Sequence, residues 1–308
     1  MTTTIAPKTA ATIETERVFD FLRTNAREGK PRHEGLTEIR GPYYSAMGPR
    51  YLADVLETMG SYVDSLKFAG GSFTLMPRRS LTELIELCHR HDVAVSTGGF
   101  IERVLTQGAD AVDRYIGECR DLGFDIIEIS NGFITLPADD WLRLVERVQQ
   151  AGLKAKPEVG VQFGAGGATR AEELEQEGTR DVEWAIRLAR RFLDAGAYLI
   201  MIESEGITEN VKRWRTDVVA RIVDGLGLER VMFEAADPDV FAWYVKNYGP
   251  EVNLFVDTAR LSSSNACERG SGARLTCGGR SSPIKDERER RWMSASTTAR
   301  SRLKESER

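Results

Sequence analysis

The chain has 308 residues, of which 41% are hydrophobic and 29% charged, and its formal net charge is −5 at pH 7. That is enough for one large α/β domain with extensions, and no apolar run approaches the roughly 20 residues a bilayer-spanning helix needs. The charge is uneven: residues 258–308 carry 12 Lys+Arg and 6 Asp+Glu, so of the total of 42 and 47 the first 257 residues hold 30 and 41. An acidic body argues against a nucleic-acid partner, but a small anionic substrate held by local cations stays open. No membrane partner is expected. Residues 1–15 have no hydrophobic stretch of the kind a secretory signal needs. Cys88, Cys119, Cys267 and Cys277 form no C-x-x-C pair and no metal spacing, which fits reduced thiols and a cytoplasmic location.

Residues 1–35 are polar and read as an N-terminal arm, with one amphipathic stretch around Val18 to Leu22. From Leu36 the pattern alternates between short apolar runs and helical periods. Strands are expected over 36–40, 62–68, 93–97, 124–129, 153–159, 198–202, 231–234 and 252–256. Their apolar residues fall on both faces, as in buried parallel strands. Between them, helices are expected after Pro49 and over 80–91, 109–122, 138–150, 171–195, 209–226 and 237–248. Ser80, with Glu83 three residues on, has capping-box spacing for the second of these. Gly123 and Gly152 are expected to stop helices. Eight strands and seven intervening helices predict a (β/α)8 TIM barrel over 36–257, with the eighth helix replaced by an irregular tail.

Most strands end in a polar or glycine-rich signature. In order these are K-F-A-G-G-S-F at 67–73, S-T-G-G-F at 96–100, E-I-S-N-G at 128–132, K-P-E-V-G at 156–160, I-E-S-E-G at 202–206 and F-E-A at 233–235. In a barrel of this kind the C-terminal strand ends converge on one rim and carry the chemistry. Lys67 in the barrel mouth either meets an anion or pairs with a neighbouring Glu, since a buried lone ammonium is costly. Gly98 and Gly99 either let backbone N–H groups approach a phosphate or sulfite or simply make a tight turn. Glu128, Glu158, Glu203 and Glu234 would repel one another at one mouth unless lysines or a divalent cation intervene. Glu205 is a weaker candidate. His33, His89 and His91 lie away from strand ends and are read as surface residues.

Taken in order, these signatures, with L-G-F-D-I-I-E-I-S-N-G at 122–132, F-E-A-A at 233–236 and V-N-L at 252–254, resemble those of the phosphosulfolactate synthases. The resemblance spans about residues 36–257 and extends to plant heat-stress-associated relatives. It implies an Mg2+-dependent barrel that adds sulfite to phosphoenolpyruvate in the route to coenzyme M. It further implies Lys67, Lys156 and Glu128 as catalytic residues. Arg40, Gly98, Gly99, Ser130 and Asn253 would bind substrate, and Glu158, Glu203 and Glu234 the metal. The chain departs from the family pattern after E-V-G, where a Lys is expected and Val161-Gln162 stands instead. Lys156 shares a strand face with Glu158 by alternation, so it is expected either to take over proton transfer or to serve as an ion-pair partner. The alternatives are a non-catalytic stress-associated relative and another Mg2+-dependent enolate-forming lyase or aldolase. A homo-oligomer is compatible with the helix faces.

After Asp257 the composition turns to Ser, Arg and Gly, with no helical period. Codons permitted by residues 258–270, read in a shifted frame, spell H-S-Q-T-L-Q-L-E-C-L-R-A-G, which resembles the family's last helix. A stop then falls across Asp286-Glu287. The tail is therefore expected to be a frame-shifted stretch, and the barrel to lack its final helix.

Overall fold

The computed structural model describes residues 21, 25, 27–43, 45–166, 170–262 and 264. Eight parallel strands close into a barrel in sequence order. They are β1 (Thr37–Arg40), β2 (Ser65–Lys67), β3 (Ala94–Ser96), β4 (Ile126–Ile129), β5 (Lys154–Val159), β6 (Ile200–Ile202), β7 (Val231–Glu234) and β8 (Asn253–Asp257). Barrel closure is direct, with β1 pairing β8 from Thr37 against Leu254 to Arg40 against Asp257. The helices among the described residues are α1 (Pro49–Met59), α2 (Arg78–Arg90), α3 (Ile101–Leu105), α4 (Ala109–Leu122), α5 (Ala138–Gln150), α6 (Ala171–Glu177), α7 (Val182–Asp194), α8 (Thr216–Leu226) and α9 (Pro238–Tyr248).

The strands alternate in a way that separates two interiors. Ile39, Leu66, Val95, Ile127, Phe233, Leu254 and Val256 belong to the large core shared with the helices. A typical partner is α5, whose Trp141, Leu144, Val145 and Val148 form one buried stripe at helical spacing. The other strand face points into the barrel. Its lower part is a small apolar cluster of Leu36, Leu199, Met201, Met232 and Phe255. Above that, a barrel of this type would ordinarily continue with branched aliphatic layers. Here Glu38, Lys67, Glu128, Lys156, Glu158 and Glu203 fill the space, all buried.

Several expectations are corrected. The helix expected over 171–195 is two helices, because Gly178 (φ +78°) leaves α6 and Thr179 bridges to Gln162. The helix expected from Glu209 begins only at Thr216. Ser80 does not cap α2, which starts two residues earlier behind Pro77 with no side-chain cap. A short helix not read from the sequence, α3, follows the G-G-F turn. The start of the tail is ordered: Thr258–Arg260 form a 3-10 turn, and Leu261 and Ser264 are buried. Residues 1–20 of the expected arm and 265–308 of the tail, with the shifted-frame reading, lie outside the described residues. The described end of the arm is tied down: Arg32 donates to Asp64 at 2.7 Å, and Lys30 to the carbonyl oxygens of His91 (2.9 Å) and Asp92 (3.2 Å).

Candidate active site

A cavity of about 300 Å3 opens at the C-terminal ends of the strands. Nine of the sequence-predicted residues line it: Arg40, Lys67, Gly98, Gly99, Glu128, Ser130, Glu158, Glu203 and Glu234. Strand register explains the gathering. Arg40 lies beside Lys67, and Glu234 beside Phe255, across their ladders.

Phe255, absent from the predicted set, carries both basic residues. The Lys67 ammonium stands 4.1 Å and the Arg40 guanidinium carbon 4.9 Å from its ring centroid. The only sequence signal for it is inward alternation along β8. Arg40 also pairs with Asp257 at 2.7 Å.

Lys67 reaches both Glu128 oxygens at 3.1 Å and Glu234 at 3.2 Å. Burial works against its charge, but Glu128 and Glu234 outweigh burial and hold the ammonium well above the ordinary lysine range. Glu128 is the matching anion. Burial alone would raise it, yet Lys67 and Lys156 beside it keep the carboxyl below its usual value. Glu128 is thus placed as the counter-ion of both lysines.

Lys156 is one layer deeper. It is 1% exposed, pairs with Glu38 and lies 3.1 Å from Glu128. It does not line the cavity. The expectation that it takes over proton transfer is corrected by this geometry, and the ion-pair alternative holds. Asn253 is likewise displaced. It sits at the N-terminal end of β8, where its Oδ1 accepts from Leu36 N (2.9 Å) and its Nδ2 donates to Val231 O (2.9 Å). It fastens the barrel floor and does not line the cavity.

Glu158 and Glu203 are different in kind. Glu158 receives a hydrogen bond from Ser130 Oγ at 3.3 Å, and Glu203 receives one from Glu205 N at 3.0 Å. Burial, then Glu128 and Glu234, push Glu158 up to about 8. Burial, then Glu234 and Glu158, push Glu203 well above the carboxylate range. Glu234 is taken up by Lys67. Among the described residues no three acidic, His or Cys side chains form a ready-made metal cluster.

Two further residues were not read from the sequence. Glu102, buried in α3, accepts from Ser130 Oγ and from the N–H groups of Gly132 (3.2 Å), Phe133 (2.8 Å) and Ile134 (2.9 Å). It fixes the loop after β4 to the loop after β3. Arg103 beside it lines the cavity mouth. Glu205 ties the loops after β5 and β6 together, accepting from Gly166 N and from Asn210 Nδ2, both at 2.9 Å. The glycines earn their place by packing: a Cβ on Gly99 would stand 2.7 Å from Ser130 Cβ, and Gly98 has a φ of +63°.

The sequence model of the family described as (2R)-phospho-3-sulfolactate synthase (ComA) matches residues 25–271. The chain belongs to the phosphosulfolactate synthase family. It is 39% identical over 260 residues to Protein HEAT-STRESS-ASSOCIATED 32 of Arabidopsis thaliana, covering 81% of this chain and 91% of the plant protein. It is 30% identical over 242 residues to a phosphosulfolactate synthase of Methanothermobacter thermautotrophicus, covering 77% and 88%. Among solved structures it is similar to a putative fructose-1,6-bisphosphate aldolase of Coccidioides immitis at a TM-score of 0.52 and 15% identity, over 75% and 79% of the two chains. That likeness concerns the fold.

Within the family pattern, the position after E-V-G is filled by Val161, which is 1% exposed and packs in the core. Gln162 does not replace the missing Lys either. Its amide donates to Leu174 O (2.7 Å) and Gly178 O (2.8 Å), holding α6. No helix of the described residues is long and apolar enough to cross a membrane.

Proposed function

We propose that the chain is a lyase-type synthase that adds sulfite to phosphoenolpyruvate, giving phosphosulfolactate, with Mg2+ as cofactor. The observation that carries this reading is the coexistence in one cavity of cationic side chains with two carboxyl groups, Glu158 and Glu203, that pair with no cation among the described residues. A site for a small anion alone has no use for Glu158 and Glu203. A site for an anion with a divalent cation does. Mg2+ is a hard ion that takes oxygen ligands, commonly one or two carboxylates plus water and substrate oxygens. Glu158 and Glu203 fit that donor set and would hold it. When bound, Mg2+ supplies positive charge opposite a developing carboxylate dianion.

The residues of the chain account for the rest. Lys67 and Arg40, poised over Phe255, bind the substrate's anionic groups. The sulfur lone pair of sulfite attacks C3 of phosphoenolpyruvate. The C2–C3 π pair moves into the carboxylate, and the resulting enediolate is stabilised by fixed cations. Protonation at C2 completes the product. Lys67 is a proton-bearing side chain of this cavity to which no metal role is assigned, and it is the proton donor in this reading. An enediolate carbon is basic enough to take its proton despite the two glutamates that hold it. Glu128 behind it, itself paired with Lys156, keeps the ammonium in place, and a proton from solvent reaching the cavity restores its charge.

The test is an assay of the purified full chain with phosphoenolpyruvate, sulfite and Mg2+, followed by phosphorus NMR. The expected result is a phosphosulfolactate resonance that requires all three components. Its absence across a range of pH and Mg2+ would overturn the synthase reading. A second reading, a relative without this activity, is favoured by Val161 standing where the family pattern has Lys and by the 39% identity to the heat-stress-associated protein. It predicts an inert but folded barrel in the same assay.

A further inference from the structure

The cavity is electrically lopsided. Its cations come from consecutive elements on one side: Arg40 from β1, Lys67 from β2 and Arg103 from α3, just after β3. Apart from Glu102, whose oxygens are taken up by Ser130 and the loop after β4, its carboxylates come from the other side: Glu128 from β4, Glu158 from β5, Glu203 and Glu209 at and after β6, and Glu234 from β7. The rim after β7 and β8, where barrels of this fold frequently bind phosphate, is unsuited to it here. The adjoining cavity of about 520 Å3 is lined by Glu209, Glu234, Asp237, Asp239 and Asp257, with Arg260 as its cation. The N-terminus of α9 is already occupied by its own cap, Asp237 accepting from Asp239 N at 2.8 Å. A phosphate dianion is therefore driven to the side of β1–β3.

On that side the three cations are not equivalent. Arg40 is paired with Asp257 and Lys67 with Glu128 and Glu234. Arg103 is exposed at the mouth and has no carboxylate partner among the described residues. It is not adrift, because the short helix that carries it is locked to the loop after β4 through the four hydrogen bonds to Glu102. The cavity wall also includes the glycine turns at Gly70 and Gly98-Gly99. A guanidinium with uncommitted donors on a rigid mount suits bidentate phosphate binding, which a point charge does not reproduce.

We propose that Arg103 is the specificity-determining residue for the phosphate of the substrate, orienting that group toward β1–β3 and the carboxylate toward Glu158 and Glu203. The proposal rests on the anionic phosphoester reading above. The test is calorimetric titration of the full chain and of Arg103→Gln and Arg103→Lys with phosphoenolpyruvate and, separately, with pyruvate, which lacks the phosphate, all in the presence of Mg2+. Losing a charged hydrogen-bond partner should weaken phosphoenolpyruvate binding by about 10- to 100-fold. Pyruvate binding should be unchanged, and Arg103→Lys should recover part of the loss. Unchanged phosphoenolpyruvate affinity in Arg103→Gln, equal weakening of both ligands, or no phosphoenolpyruvate binding by the native chain would each overturn it. The two readings fail separately. Arg103-dependent binding without sulfite consumption sinks the synthase reading alone, and turnover with an unchanged KM in Arg103→Gln sinks the Arg103 assignment alone.

Discussion

Two layers of the barrel interior, one above the other, are built from the same residue types to opposite ends. In the lower layer Lys156 lies between Glu38 and Glu128, and Ser65 Oγ donates to the remaining Glu38 oxygen at 3.0 Å. Every charge there has a partner, and burial is complete. In the upper layer Glu158 and Glu203 face a solvent-connected cavity with hydroxyl and backbone donors but no ammonium of their own. A saturated network in a low dielectric is rigid and chemically inert. A deficient one at the mouth is prepared for something to arrive. The difference separates scaffold from site better than residue type does, since Lys and Glu on inward strand faces build both layers.

The largest expected effect tests the lower layer. Lys156→Met leaves Glu38 and Glu128 buried without that cation, and breaking such a pair costs on the order of 3–5 kcal/mol. Urea denaturation should show the midpoint falling by a corresponding amount. Normal stability with lost turnover would instead place Lys156 in the chemistry. Lys67→Met is the counterpart above. Its removal should lower kcat about 100- to 1000-fold, as loss of one transition-state donor typically does. A folded Lys67→Met protein with native kcat would remove Lys67 from the mechanism.

The next effect belongs to the metal. Glu158 has a folded value of about 8, far above its ordinary one. A carboxyl raised in this way gives stability that is full below the unfolded pKa and is lost as pH rises through the folded value. Without metal, melting temperature should therefore decline from about pH 4.5 to 8. Mg2+ competes with the proton, so its stabilisation should be larger at pH 8 than at pH 6. At a hundred times its Kd it should reach about 2.7 kcal/mol. Glu158→Gln should flatten the metal-free decline and abolish much of the Mg2+ response. An Mg2+ effect independent of pH, or one that survives in both Glu158→Gln and Glu203→Gln, would place the ion elsewhere.

What could be read from the sequence follows from the same contrast. Strand and helix order came through because each strand has an apolar outer face and each helix one apolar stripe. The convergence of Lys67, Glu128, Glu158, Glu203 and Glu234 followed from barrel topology, which puts every C-terminal strand end on one rim. Depth did not come through. Lys156 and Glu158 are two residues apart on one face of β5, and only the strand's stagger in the barrel decides that one is sealed beneath the cavity and the other lines it. Glu102 and Arg103 carry no strand-end signature, so the short helix that presents them was missed. The break between α6 and α7 falls at Gly178 in the polar stretch 175–181, where no apolar residue marks a period in either direction.

The smallest expected effect bears on Asn253, which the family resemblance implied as a substrate-binding residue and which does not line the cavity. Its amide closes the barrel floor by linking the residue before β1 to the start of β7. Asn253→Ala would leave the Leu36 N–H and the Val231 carbonyl without that partner. Unsatisfied buried groups of this kind cost about 1–3 kcal/mol. The melting temperature should fall modestly, while the KM values for phosphoenolpyruvate and sulfite stay as in the native chain. Because the floor lies beneath both charged layers, an altered KM without loss of stability would mean that it is coupled to the mouth. The division between an inert lower layer and a responsive upper one would then fail at its base.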